Sequence, residues 1–199
     1  MISIVNYGVG NLKSLQNAIQ FLGFESELIS SPTGVLRAEK LILPGVGAFS
    51  FAMENIHKLN LKDALLEKVG SGVPILGICL GMQLFFSRSV ERGEHKGFDL
   101  IPGQVLKING ELKVPHMGWN EITFNRTSIL NKNLPPSHYG YFVHSFYCQP
   151  EDSNTVIATT EYGGTFACAV ESENIFGVQF HPEKSQELGL QILKNFSEI

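Results

Sequence analysis

The segment Val73-Pro74-Ile75-Leu76-Gly77-Ile78-Cys79-Leu80-Gly81 is the most informative part of the chain. Residues 73–78 form a nearly continuous apolar run, which is typical of a strand buried on both faces of a parallel sheet. From residue 79 onward, apolar side chains recur at helical spacing. Gly77 and Gly81 flank Cys79 in the pattern of a sharp strand-to-helix turn that carries a nucleophile. The sequence therefore predicts that Cys79 lies at the tip of such a turn.

Two properties of this turn favour a reactive thiol. The following helix points its free N–H groups and the positive end of its dipole at the sulfur, which favours thiolate. The N–H of Leu80 is also free to bind a developing oxyanion. The alternative is a buried structural cysteine, the common fate of a free thiol. We expect that fate for Cys148 and Cys168, which lack flanking glycines.

A thiol nucleophile needs a base, and the base needs a third group that fixes its tautomer. His181 ends the apolar run of residues 175–180, and Glu183 follows two positions later. Active sites of α/β sheets gather at the carboxyl ends of strands, where both Cys79 and His181 are expected. Pro182 fixes φ between the imidazole and the carboxylate. The alternative is a surface turn before the last helix, but pairing with Cys79 favours a triad of Cys79, His181 and Glu183.

The segment Pro44-Gly45-Val46-Gly47 follows another apolar run and is a candidate oxyanion loop. Its glycines let a peptide turn an N–H towards the site, so Val46 and Gly47 join Leu80 as predicted oxyanion donors. A plain turn is the alternative. Gly8-Val9-Gly10 is not a dinucleotide fingerprint because its third glycine is missing, and no metal-ligand spacing is evident. We therefore expect no cofactor and no metal.

Strands and helices alternate in the first half of the chain, which predicts an α/β fold with a mostly parallel central sheet flanked by helices. The second half adds an antiparallel or mixed segment, including a hairpin at Asn109-Gly110. We find no linker or repeat, so residues 1–199 are predicted to be a single domain. The predicted strands are residues 2–6, 26–29, 41–43, 73–78, 104–108, 111–114, 141–147, 155–160, 165–170 and 175–180, and the predicted helices are residues 12–22, 48–56, 61–69, 79–86 and 186–196.

Composition excludes several classes of function. The chain has 199 residues, three cysteines and a net charge of −4. A mildly acidic protein without basic runs has no electrostatic reason to bind nucleic acid or anionic membrane. No apolar stretch approaches the roughly 20 residues that span a bilayer. Sparse, odd-numbered cysteines and the absence of a signal peptide favour a soluble, cytoplasmic protein.

Taken together, five segments make the chain resemble the class I, triad-type glutamine amidotransferase family. Within that family it is similar to the glutaminase subunits of imidazole glycerol phosphate synthase, which serve histidine biosynthesis. The resemblance covers essentially the whole chain. Its motifs are Tyr7-Gly8-Val9-Gly10-Asn11, Leu43-Pro44-Gly45-Val46-Gly47-Ala48-Phe49, Gly77-Ile78-Cys79-Leu80-Gly81-Met82-Gln83, Val114-Pro115-His116-Met117-Gly118-Trp119-Asn120 and Phe180-His181-Pro182-Glu183-Lys184-Ser185.

The resemblance implies hydrolysis of L-glutamine to glutamate and ammonia by the triad. It also implies a cyclase partner of the (β/α)8-barrel type, which receives the ammonia in a heterodimer and makes imidazole glycerol phosphate and AICAR. The family positions that hold glutamine match Gly47, Gln83, Ser145 and Phe146. The positions expected at the partner interface match Asn11, Met117, Trp119 and Lys184.

Three alternatives stay open from the sequence. Residues 91–98 depart from the acidic, glycine-rich segment expected of the family, so the chain is also compatible with a paralogue that supplies ammonia for bacterial surface-sugar amidation. A stand-alone cysteine hydrolase or peptidase would use the same triad without a partner. A non-catalytic subunit that kept the fold is disfavoured by the intact triad residues.

Overall fold

The computed structural model describes residues 1–109 and 112–199. In its first half, short apolar strands alternate with amphipathic helices, as their hydrophobic spacing predicts. The elements are β1 (Ile2–Val5), α1 (Leu12–Phe21), β2 (Ser26–Ile29), α2 (Pro32–Arg37), β3 (Leu41–Gly45), α3 (Phe49–Lys58), α4 (Leu61–Gly70), β4 (Ile75–Cys79) and α5 (Leu80–Leu84).

The second half consists mainly of strands and ends in one helix. Its elements are β5 (Phe86–Ser89), β6 (His95–Lys96), β7 (Ile101–Lys107), β8 (His116–Phe124), β9 (Ser137–His144), β10 (Phe146–Pro150), β11 (Val156–Glu161), β12 (Thr165–Ser172), β13 (Ile175–Val178) and α6 (Gln186–Ser197).

Within the described residues, thirteen strands form one mixed sheet, in which the path β2-β1-β3-β4-β13 is entirely parallel. This parallel part continues through antiparallel strands in the order β12-β10-β7, while β11, β8 and β9 branch from β12. Gly45 pairs with Cys79, and Val178 pairs with Ile78. The carboxyl ends of β3, β4 and β13 therefore lie side by side, which is where α/β folds place their sites. The predicted fold class is confirmed.

Helices cover both faces of the parallel strands. Ile75 of β4 packs into one buried cluster with residues of α3 and α4, whereas Leu76 and Ile78 pack into a second cluster with residues of α1 and α6. A central strand buried on both faces explains why residues 73–78 are almost continuously apolar. In the part of the chain that the structure describes, no helix has the length and apolarity to cross a membrane.

Several sequence predictions were wrong. The helix predicted for residues 79–86 ends at Leu84, and Phe86 already begins β5. Residues 141–147 are not one strand, because Ser145 separates β9 from β10 and the two strands join different neighbours. Gly110 of the predicted hairpin turn at Asn109-Gly110 lies outside the described residues. Residues 112–114 of its predicted second strand do not form a strand, and β7 pairs with β10 and β5 instead.

Candidate active site

Cys79 lies at the junction of β4 and α5 in a backbone conformation that side chains rarely adopt, with φ 55° and ψ −108°. Close packing around the junction requires the flanking glycines. A Cβ on Gly77 would lie 2.6 Å from the Met82 backbone nitrogen, and one on Gly81 would overlap the Leu43 carbonyl oxygen. The strand-to-helix turn predicted from the sequence is therefore present. Its helix has only five residues, so the dipole that faces the sulfur is shorter than the sequence suggested.

His181 follows β13 and is held in place by its own backbone. Its N–H donates to the Tyr141 carbonyl at 2.9 Å, and its carbonyl accepts from the Ser185 hydroxyl at 2.7 Å. The single turn Pro182–Lys184 then brings Glu183 back onto the ring. Glu183 Oε1 lies 3.0 Å from His181 Nδ1, which leaves Nε2 for the sulfur of Cys79. The structure thus brings the three predicted triad residues together.

The charge state of His181 follows from these contacts. Burial lowers the pKa of the imidazole, but hydrogen bonds with Cys79 and Glu183, and the charges of both groups, outweigh burial and raise it to about 10. The ring is therefore an imidazolium at neutral pH. Glu183 is 4% exposed at its side chain, and its Oε2 is buried without a hydrogen-bond partner in the described part of the chain.

A residue that sequence reasoning missed also contacts the nucleophile. Gln179 is fully buried, and its Nε2 lies 3.6 Å from Cys79 Sγ. The thiol also lies 3.8 Å from the Val143 carbonyl oxygen. The sequence did contain a signal for Gln179, which is a polar residue in the otherwise apolar run of residues 175–180. A polar side chain buried in such a run needs a hydrogen-bond partner.

The predicted oxyanion loop, residues 44–47, is fixed at its two ends and open in the middle. The Tyr7 hydroxyl donates to the Pro44 carbonyl at 2.6 Å, and the N–H of Phe49 donates to Glu91 Oε2 at 2.7 Å. Between these anchors, Val46 is 42% exposed and Gly47 has φ +98°. Glu91 was not anticipated as part of the site, because its segment is polar and distant in sequence.

A cavity of about 860 Å³ opens in front of Cys79 and His181. The predicted oxyanion residues Val46, Gly47 and Leu80 line it, and so do the predicted glutamine-binding residues Gly47, Gln83, Ser145 and Phe146. Gln83 is 5% exposed and donates from Nε2 to the Phe146 carbonyl at 2.9 Å. The cavity also contains charged side chains that were not predicted: Glu91, Arg92 and Lys107.

The four residues predicted at a partner interface lie around the mouth of this cavity or on the strand beside it. Asn11 and Lys184 line the cavity. Met117 and Trp119 belong to β8 and are 62% and 48% exposed. Trp119 meets Tyr141 edge to face at 5.9 Å, and Lys184 Nζ lies 5.6 Å from the centre of the Tyr141 ring.

A sulfur, an imidazole and a carboxylate that lie together at the carboxyl ends of parallel strands have the arrangement that cysteine-dependent acyl transfer requires. The chain belongs to the family described as glutamine amidotransferase class-I, which matches residues 3–199. It is an enzyme of the glutamine amidotransferase type.

Comparisons with individual proteins agree with this family. The chain is 48% identical to the imidazole glycerol phosphate synthase subunit HisH of Moorella thermoacetica, over all of this chain and 94% of the relative. It is 46% identical to the subunit of the same name from Chlorobaculum tepidum, over the full length of both. A crystal structure described as glutamine amidotransferase superposes over the full length of both chains with a TM-score of 0.79 at 17% identity, which establishes the shared fold.

Proposed function

We propose that this chain is the glutamine-hydrolysing subunit of an imidazole glycerol phosphate synthase and that Cys79, His181 and Glu183 are its catalytic triad. The observation that carries the proposal is that Cys79 and His181 line the same cavity, while Glu183 Oε1 lies 3.0 Å from Nδ1 of the His181 ring. The full-length relatives named HisH support the choice of this synthase over the sugar-amidation alternative.

The first half of the reaction releases ammonia. The sulfur of Cys79 attacks the carboxamide carbon of glutamine, and the carbonyl electrons move to the oxygen. N–H groups of Leu80 and of the Val46-Gly47 segment bind that oxyanion. The imidazolium of His181 gives its proton to the nitrogen as the carbon–nitrogen bond breaks. Ammonia leaves, and a thioester remains on Cys79.

The second half regenerates the enzyme. Neutral His181 takes a proton from water, and the hydroxide attacks the thioester carbon. That proton restores the imidazolium, and collapse of the second tetrahedral intermediate expels Cys79 as thiolate and releases glutamate, whose new carboxyl group gives its proton to solvent. Glu183 holds the ring through Nδ1 in both halves, so that Nε2 faces the reacting atoms.

The charges of the cavity fit free glutamine. Among the described lining residues Glu91 is the one carboxylate, which suits the α-ammonium group of the substrate. Arg92 and Lys107 supply positive charge for the α-carboxylate. A peptide substrate would lack both terminal charges at an internal glutamine, so this lining favours a glutaminase over a peptidase.

We further propose a (β/α)8-barrel cyclase as partner, in a heterodimer that works in the cytoplasm. Met117 and Trp119 expose apolar area beside the cavity mouth, and such area is typical of a protein interface. Ammonia that passes directly to the partner avoids protonation in bulk water and stays nucleophilic. The partner would convert it, with a nucleotide substrate, into imidazole glycerol phosphate and AICAR.

The exposed oxyanion loop also predicts weak unaided activity, because Val46 has solvent on one side until a partner covers it. Co-purification from the native cell tests the pathway: we expect a barrel cyclase to be retained, and glutamine turnover to rise when that protein and its nucleotide ligand are added. Retention of a sugar-amidating partner, or full turnover without any partner, would contradict the proposal.

A further inference from the structure

A series of hydrogen bonds connects the strand of Trp119 to the glutamine-binding side of the cavity through two buried histidines. From it we propose that His116 and His144 are positioning residues, which orient the Phe146 carbonyl so that it holds the side-chain amide of Gln83. This inference rests on the proposed function, because it assigns the pair a task in glutamine binding.

At Asn120, the end of the series farther from the cavity, backbone contacts fix the direction in which the hydrogen bonds are donated. Asn120 Oδ1 accepts from the N–H of Glu121 at 2.8 Å, so the other side-chain atom of Asn120 is the nitrogen. That nitrogen donates to the Glu161 carbonyl at 2.8 Å and lies 3.2 Å from His116 Nε2. Because the amide nitrogen only donates, His116 Nε2 must be the acceptor.

At the other end of the series, near the cavity, the Phe146 carbonyl requires the same direction of hydrogen bonding. His144 Nδ1 lies 2.8 Å from the Phe146 carbonyl oxygen, which only accepts, so His144 carries its proton on Nδ1. His144 Nε2 is then an acceptor, and His116 Nδ1 donates to it across 2.9 Å. Both ends therefore require two neutral rings, each protonated on Nδ1.

The surroundings keep both rings neutral and in place. His116 and His144 are 3% and 6% exposed, and burial lowers the pKa of His116 to about 4 and that of His144 to about 3. The His116 ring is stacked on Phe142 at 4.8 Å and on Tyr162 at 4.0 Å. A second proton on either ring would remove an acceptor that the series needs.

The Phe146 carbonyl connects the two histidines to Gln83 in the cavity. It accepts from His144 Nδ1 and from Gln83 Nε2 at 2.9 Å, so both of its lone pairs are used. The second hydrogen of Gln83 Nε2 goes to Gln179 Oε1 at 3.1 Å, and Gln179 Nε2 lies 3.6 Å from Cys79 Sγ. With both amide hydrogens used, Gln83 offers its oxygen to a donor group of the substrate.

Two variants of one residue separate positioning from packing. His116→Asn places an amide nitrogen near the former Nδ1 and keeps a donor towards His144, whereas His116→Gln places its amide near the former Nε2 and loses that donor. Both lose the same ring stacking, so a purely structural role predicts equal effects. We expect the KM for glutamine to rise about two- to tenfold more in His116→Gln, with kcat little changed.

Nitrogen NMR of ¹⁵N-histidine-labelled protein tests the series without any enzymology. At pH 7 we expect both rings to be neutral and protonated on Nδ1, with signals assigned by their loss in His116→Asn and His144→Asn. Protonation of either ring on Nε2 would overturn the inference and leave the proposed function standing. Equal KM values in the two His116 variants would also overturn it. An inactive wild-type chain in the presence of the barrel partner would overturn the proposed function, and the positioning role with it.

Discussion

Glu183→Gln tests what the carboxylate behind His181 contributes. The substitution keeps the shape and an oxygen acceptor for Nδ1, but it removes the negative charge 3.0 Å from the ring. A hydrogen bond to a charged group contributes about 1.5–3 kcal/mol. Because each 1.4 kcal/mol is a factor of ten, we expect kcat/KM for glutamine to fall about 10- to 150-fold.

The loss should depend on pH, with a sign that follows from the pKa of His181. In the wild type that pKa is raised to about 10, so the imidazolium persists throughout the neutral range. Without the carboxylate the pKa falls, because one of the two groups that raise it is lost while Cys79 remains. The variant therefore loses the imidazolium proton at a lower pH than the wild type does. The deficit of the variant should therefore be smallest near pH 6 and grow as the pH rises.

The assay is glutamate release between pH 6 and pH 9, measured with the partner present. Glu187→Gln is the matched control, because Glu187 is exposed on α6 four residues away and should tolerate the same change. A Glu183→Gln enzyme within twofold of the wild type would refute the assigned role. A large deficit that is constant with pH would show that the carboxylate does not act through the charge of the ring.

Three other predictions concern the frame of the site. Tyr7→Phe leaves the buried Pro44 carbonyl without its donor and should lower the free energy of unfolding by about 1–3 kcal/mol in urea titrations; unchanged stability would contradict this role. Gly81→Ala should lower the free energy of unfolding by about 1–3 kcal/mol or more, because the added Cβ would overlap a backbone carbonyl of β3. Gly70→Ala is the control and should leave the stability nearly unchanged, because a Cβ there meets open space. Equal stability of the two variants would contradict the packing described for Gly81. A glutamine-mimicking electrophile should label Cys79, which lines the cavity, and neither of the other two cysteines, which are buried and do not line it; mass spectrometry of the digested protein would detect any exception.

The catalytic part of the fold was predictable because local and global signals agree there. β4 is buried on both faces, so its apolar run is unbroken. The glycines beside Cys79 are required because a side chain at either position would clash with neighbouring backbone atoms. His181 was identifiable because it ends another buried strand, and the register of β13 with β4 then places the two residues at one edge of the sheet.

The second half was less predictable because tertiary contacts override its local patterns. β8 exposes Met117 and Trp119 and buries His116, so its hydrophobic pattern does not resemble that of a strand with one apolar face. Ser145 interrupts an apolar stretch that otherwise looks continuous, and the two resulting strands pair with different partners. Glu91 reaches the site only through folding of a polar segment, which no spacing in the sequence indicates.

In the proposed reaction, Cys79 releases ammonia from glutamine and the partner subunit uses this ammonia. The most direct test measures product formation by the complex that carries Cys79→Ala. The nitrogen source is varied between glutamine and added ammonium salt, and imidazole glycerol phosphate is measured in both. We predict that synthesis from glutamine is abolished and that synthesis from ammonia continues at the wild-type rate. Glutamine-dependent synthesis that survives the substitution, or loss of both activities in a folded complex, would contradict the account.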